Sequence, residues 1–97
     1  MSLTVHVELR VKEEKLAEVQ PLFGALLSET RGREGNEGVT VHQDQDAPTT
    51  ILLVEQWISR GHYVAYNQWR TERGDFAKLG ELLEEPPRRR FFNFVAV

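Results

Sequence analysis

The 97-residue chain contains no cysteine. Disulfides, thiolate nucleophiles and cysteine-based metal sites are therefore excluded. Long apolar runs are missing too. A run such as Ile51 to Val54 is far too short to cross a bilayer. Positive charge is in short supply, with 12 Lys and Arg against 15 Asp and Glu and a net charge of −3. That balance disfavours a nucleic-acid backbone or an anionic membrane as partner. The opening Met1-Ser2-Leu3-Thr4 lacks the basic region and apolar stretch of a signal peptide, so a soluble cytoplasmic protein is expected. The three histidines, His6, His42 and His62, form no ligand-spaced pair, and the glycines form no phosphate-cradling loop. No metal and no cofactor is expected. What remains is ordinary globular composition, 40% apolar and 28% charged. It predicts one domain over residues 1–97, with a core small enough to make self-association plausible.

The apolar pattern changes period along the chain. Leu3, Val5, Val7, Leu9 and Val11 alternate with polar residues, which predicts a strand with one apolar face. From Glu13 the period becomes helical: Leu16, Val19, Phe23, Leu26, Leu27 and Thr30 share a face. Pro21 falls inside that helix and predicts a kink. Glycines at 32, 35 and 38 break the chain before a strand at about 38–45. Asp44-Gln45-Asp46-Ala47-Pro48 is turn chemistry and predicts a hairpin to a strand at about 49–58. Ser59 suits the cap of a helix at about 60–70. Gly74-Asp75 opens another, with Phe76, Leu79, Leu82 and Leu83 on one face and Pro86-Pro87 as its stop. A final strand spans about 88–97. The order β-α-β-β-α-β predicts a ferredoxin-like α+β fold, a four-stranded antiparallel sheet with its helices on one face.

The last strand carries apolar residues on both sides. Phe92, Phe94 and Ala96 lie on one and Phe91, Val95 and Val97 on the other. Helices on one face of the sheet leave the opposite face bare, and a second copy of the chain is the economical cover. A homodimer is expected.

The chemistry-bearing residues cluster mid-chain. Glu55 and Trp57 share one face of a strand end, and Tyr63, Tyr66 and Arg70 follow at i, i+3, i+7 spacing on one helical face, with Trp69 beside them. Each has two readings. Trp57 is a core residue or a pocket wall whose indole N–H meets a phenolic or quinone oxygen. The helix aromatics pack on the sheet or grip a planar ligand, with Arg70 steadying a developing phenolate. Glu55 is a general base in an apolar setting or a charge that reaches water or an arginine. The histidines read as structural or solvated, with His6 and His42 pointing away from the helix-covered face. Arg90-Phe91-Phe92-Asn93-Phe94-Val95 faintly mimics an RNA-recognition strand. Both of that signature's glycines are replaced and the chain is acidic, so the match is rejected. Arg88, Arg89 and Arg90 then read as a solvated strand start or an intersubunit ion-pair cluster.

The run Val54-Glu55-Gln56-Trp57 followed by Tyr66-Asn67-Gln68-Trp69-Arg70 resembles the antibiotic biosynthesis monooxygenase family, and the resemblance covers nearly the whole chain. It implies a dimeric α+β barrel, formed by two sheets packed face to face. It implies a monooxygenase that oxidises a small aromatic quinol or phenol without a cofactor. It puts Trp57, Tyr66 and Arg70 in catalytic roles and Trp69, Tyr63 and Glu55 against the substrate. The expected pocket lies between helices and sheet within one subunit, lined by Trp57 and by Tyr66 or Trp69. Arg70 is expected at its mouth or paired with Glu55. Many relatives carry His where Tyr66 falls, so a mechanism built on that His does not transfer. A haem-degrading relative uses a first-strand Asn and a late-helix His. This chain has no Asn in residues 1–12 and no His between Trp69 and Pro87. The alternative function is a non-catalytic dimeric protein of the same fold that binds a small molecule.

Overall fold

The structure is a computed structural model and describes residues 2–97. Strand β1 (Leu3–Arg10) leads through a 3-10 turn (Glu13–Lys15) into helix α1 (Leu16–Arg31). Strands β2 (Asn36–Gln43) and β3 (Thr50–Trp57) form the hairpin. Helices α2 (Arg60–Arg73) and α3 (Asp75–Gly80) precede strand β4 (Arg88–Asn93). The strands make one sheet in the order β2-β3-β1-β4, and every neighbouring pair is antiparallel. This is the ferredoxin-like α+β fold that the sequence predicts.

Register explains the core. Val5 stands opposite Glu55 on one side and Phe91 on the other, and Val7 opposite Leu53 and Arg89. These rows face the helices. Val5, Val7, Leu9, Ile51, Leu53 and Trp57 are buried, and Val19, Phe23 and Leu27 of α1 meet them at helical spacing. The alternate positions, among them His6, Leu52, Val54 and Phe92, lie on the face no helix covers. His42, paired with Leu52, joins them there, and His6 stacks on Phe92 at 4.7 Å.

Local chemistry sets the ends of α2. Ser59 Oγ accepts from the His62 backbone N–H at 3.2 Å, and Gly74 closes the helix in the left-handed region at φ 79°. Gly35, at φ 85°, lets the preceding loop press against that helix start. A Cβ there would come within 2.4 Å of the His62 ring.

Three expectations change. The last strand ends at Asn93, not Val97, because its partner β1 begins at Leu3, directly opposite Asn93. Phe94, Val95 and Val97 beyond it are exposed. Helix α3 stops at Gly80, well short of Pro86-Pro87. Leu82 and Leu83 are buried by another route: the Lys12 N–H donates to the Leu82 carbonyl at 2.8 Å, and Val11 bridges Leu83. Pro21 lies inside helix α1, on its solvent-exposed side. Arg89 is neither solvated nor free for a partner subunit, since the register turns it inward beside Phe91. Among the described residues, no helix is long and apolar enough to cross a membrane, and no cluster of three potential metal ligands occurs.

Candidate functional site

The C-terminal end of β3 delivers Glu55 and Trp57 to the helix-covered face by simple alternation. Helix α2 starts two residues after the strand ends and lays Tyr63, Tyr66 and Arg70 over them along its buried face. Trp57 is fully buried. Its indole lies 5.7 Å from the Tyr63 ring, edge-on, and 4.9 Å from the Tyr66 ring. Its Nε1–H donates to Glu55 Oε1 at 2.9 Å. The indole hydrogen bond is therefore spent inside the protein and does not await a substrate oxygen. The acceptor is itself unusual, a carboxyl only 3% exposed. Burial pushes its pKa above the usual carboxylate range, against the opposing pull of the Trp57 N–H and the nearby arginines.

Tyr63 lies on the other side of this carboxyl. Its hydroxyl accepts from Arg89 Nε at 2.9 Å, which leaves its own proton to donate. Burial raises the Tyr63 pKa, with Arg89 pulling the other way, so the phenol stays protonated. Beside it the Asn67 side-chain oxygen is buried without a hydrogen-bond partner. Glu55, Tyr63, Tyr66, Asn67, Arg70 and Arg89 all border one cavity of about 30 Å³, enclosed on its apolar side by residues such as Val7 and Leu53. A space of that size holds about one water molecule or one hydroxyl group.

Arg70 serves a different assembly. Its Nε donates to the Tyr66 hydroxyl at 3.1 Å. Nη1 donates to Glu29 Oε1 at 2.9 Å and Asp75 Oδ2 at 2.8 Å. Nη2 donates to the Leu26 carbonyl at 2.6 Å and Thr30 Oγ1 at 3.0 Å. Burial opposes its charge, but the hydrogen bonds to Tyr66, Asp75 and Glu29 outweigh that and hold it protonated. Arg70 borders the cavity, but its ion pairs are with Glu29 and Asp75 and not with Glu55. It ties α1, α2 and the start of α3 together, and through Tyr66 it fixes one wall of the cavity. Trp69 lies outside that wall, flanked by the guanidinium groups of Arg33 at 4.0 Å and of Arg70 and Arg73 at 4.7 Å.

Of the six residues expected at a site, the cavity gathers Glu55, Tyr63, Tyr66 and Arg70. Trp57 stands behind Glu55 and does not line the space, and Trp69, half-buried against the core, does not line it either. Sequence reasoning missed Asn67 and Arg89. A signal existed for Arg89, which lies two residues before Phe91 and so shares its face. The signal for Asn67 was its place one helical turn after Tyr63, on the same face.

Comparison with known proteins bears on the family and the fold. A family model described as antibiotic biosynthesis monooxygenase matches residues 2–78. No curated protein matches the sequence. Among solved structures, a conserved protein from Methanosarcina mazei Go1 aligns with a TM-score of 0.87 at 24% identity, over 96% of this chain and 92% of that one. A structure described as antibiotic biosynthesis monooxygenase aligns at 0.86 and 18% identity, over 97% of this chain and 99% of its own. Rv0793 from Mycobacterium tuberculosis aligns at 0.74 and 19% identity, over 100% and 98%. At these identities the likeness to solved structures shows the fold.

Proposed function

We propose that this chain, which belongs to the antibiotic biosynthesis monooxygenase family, oxidises a small aromatic phenol or quinol with molecular oxygen and without a cofactor. One observation carries the reading: the buried Glu55 carboxyl, its pKa raised by burial, borders a hydroxyl-sized cavity beside the Tyr63–Arg89 pair. A phenolic hydroxyl in that space gives its proton to Glu55, acting as general base. The Tyr63 O–H, polarised by Arg89, then donates to the phenolate oxygen. The electron-rich phenolate passes an electron to oxygen, and the two radicals combine at the ring. For a phenol the sum is phenol plus O₂ to quinone plus water. One oxygen atom enters the ring, one ring hydrogen and the hydroxyl hydrogen leave in the water, and the substrate supplies all four electrons. The balance needs no external reductant. Trp57 orients Glu55, and Tyr66 and Arg70 shape the wall. The aromatic ring needs more room than the cavity offers, so the partly exposed wall residues Asn67 and Phe76 must part to admit it.

That small volume also favours a second reading, a non-catalytic dimeric binding protein in which the cavity holds only a polar group. In either case the sheet face carrying Leu52, Val54 and Phe92 has no helical cover among the described residues, and we assign it to a second copy.

Oxygen uptake by purified protein separates the two readings. With a panel of naphthols, naphthohydroquinones and anthrones, at least one substrate should consume one O₂ per molecule without reduced nicotinamide. Glu55→Gln should lower kcat by about 10²–10⁴, the usual worth of a general base. Ligand binding with no uptake across the panel would leave the binding reading standing. Uptake unaffected by Glu55→Gln would remove Glu55 from the mechanism.

A further inference from the structure

A second space lies on the other side of Phe23 and Leu27, away from Glu55. It is a cleft of about 390 Å³ between α1 and the edge strand β2, walled mainly by Val19, Phe23, Leu27, Val41 and Ile51. Its size falls within the range of sites that hold small organic ligands. Two features of its lining lack a purely structural account.

The first is Gly24. It sits inside α1, where glycine costs roughly 1 kcal/mol relative to alanine. Its φ is not positive, so the backbone does not require glycine. A Cβ built on it meets nothing within 4 Å, so packing does not require glycine either. What the missing side chain leaves is open room along the cleft wall.

The second is Arg31. One guanidinium nitrogen donates to the Val39 carbonyl at 3.0 Å, which pins the side chain across the end of the cleft from α1 to β2. Among the described residues, every other arginine has a carboxylate within ion-pair distance or an aromatic ring against its guanidinium. Arg31 has neither. Its place in the last turn of α1 suits the helix dipole, but that does not call for anchoring it to β2. An apolar trough that ends in a fixed, unpaired guanidinium is complementary to an amphipathic anion.

We propose that the cleft between α1 and β2 is a binding site for a small amphipathic carboxylic acid, with its apolar body along Phe23 and Gly24 and its carboxylate on Arg31. The site is separate from the Glu55 cavity, and the assignment stands whether or not the chain is an oxygenase.

Calorimetric titration with 2-naphthoate tests it, with 2-naphthalenemethanol as the uncharged analogue. Wild type should bind 2-naphthoate with a Kd below about 1 mM, an affinity of roughly 4 kcal/mol. Gly24→Leu fills the cleft and should weaken both ligands at least tenfold, while its melting temperature stays equal or rises because leucine is the better helix former. Arg31→Gln should weaken 2-naphthoate about tenfold and leave the alcohol unchanged. Glu55→Gln should bind 2-naphthoate as wild type does. The proposal fails if wild type does not bind, if Gly24→Leu binds undiminished, or if Arg31→Gln affects both ligands equally. It also fails if Gly24→Leu alters the sedimentation coefficient, since the cleft would then be an interface between copies.

Discussion

Replacing Arg70 with methionine removes the knot between the three helices and keeps most of the side-chain volume. The cost can be built up from the partners. The guanidinium donates five hydrogen bonds from a side chain only 1% exposed. Few of its acceptors are stranded when it leaves. Thr30 and Tyr66 still bond each other at 2.9 Å, and Glu29 and Asp75 keep Arg73 at 3.0 and 3.5 Å. The Glu29 side chain is 42% exposed, so solvent screening leaves its ion pair little weight. The bond to the largely buried Asp75 is charge-assisted and worth about 1.5 kcal/mol. The bonds to Leu26, Thr30 and Tyr66 add about 1 kcal/mol together, once the alternatives left to those groups are subtracted. The expected loss for Arg70→Met is thus about 2.5 kcal/mol, or a fall in Tm of roughly 10–20 °C for a domain of this size. Arg73→Met should cost no more than about 0.5 kcal/mol, because that side chain is 42% exposed. Arg70→Lys keeps a charge but loses the planar fork, and should fall between the two. Urea denaturation at fixed protein concentration measures all three. A loss under about 1 kcal/mol for Arg70→Met, or equal losses at positions 70 and 73, would refute the clamp.

Two further outcomes follow from the same geometry. Glu55 has a folded-state pKa above its ordinary 4.5, so the native state holds that proton more tightly than the unfolded chain. Its contribution to stability falls as pH rises from about 4.5 through the folded value and stays lower above it. Glu55→Gln should therefore raise stability at neutral pH and flatten this decline, and denaturant midpoints between pH 4 and 8 that match wild type throughout would contradict the buried carboxyl. The homodimer should persist at micromolar concentration in sedimentation velocity, and Val54→Asp on the uncovered sheet face should shift it to monomer; a monomeric wild type would refute the pairing.

The strands and the two long helices were legible because period-2 and helical patterns differ over eight or more residues, as β1, β3 and α1 illustrate. The ends were less legible because they depend on partners. Nothing local stops β4 at Asn93; its ladder ends where strand β1 begins, at Leu3. Leu82 and Leu83 look like a continued helix face, yet they are buried through contacts with Val11 and Lys12, some 70 residues away. The site was legible as a set of residues and not as a set of roles. Spacing brings Glu55, Trp57, Tyr63 and Tyr66 together. It does not reveal that the Trp57 N–H is taken by Glu55 or that Arg70 is used up by Glu29, Asp75 and Thr30, because those bonds are set by packing between distant elements. Arg89 shares a face with Phe91 by alternation, but apolar residues occur on both sides of this strand, and the pairing register with Val5 and Val7 decides which side turns inward.

The roles of the two strand-end residues depend on each other. A lone carboxyl in this core is a cost to folding, since it is desolvated and keeps a single donor from its own strand. A glutamine would hold the same hydrogen bond with Trp57 and carry no charge to bury. Stability alone therefore gives no reason for glutamate at position 55. Proton transfer does, because a carboxyl whose pKa burial raises, with one oxygen fixed by an indole and a hydroxyl-sized space beside it, is set to take a proton from a bound phenol. On that argument Trp57 earns its place by orienting the base and not by touching the substrate. The consequence is specific to pH. Trp57→Phe removes the one donor that favours the charged form, so the Glu55 pKa should rise further and the pH–rate profile for oxygen uptake should move to higher pH. A pocket-wall role would instead raise KM and leave the profile where it was.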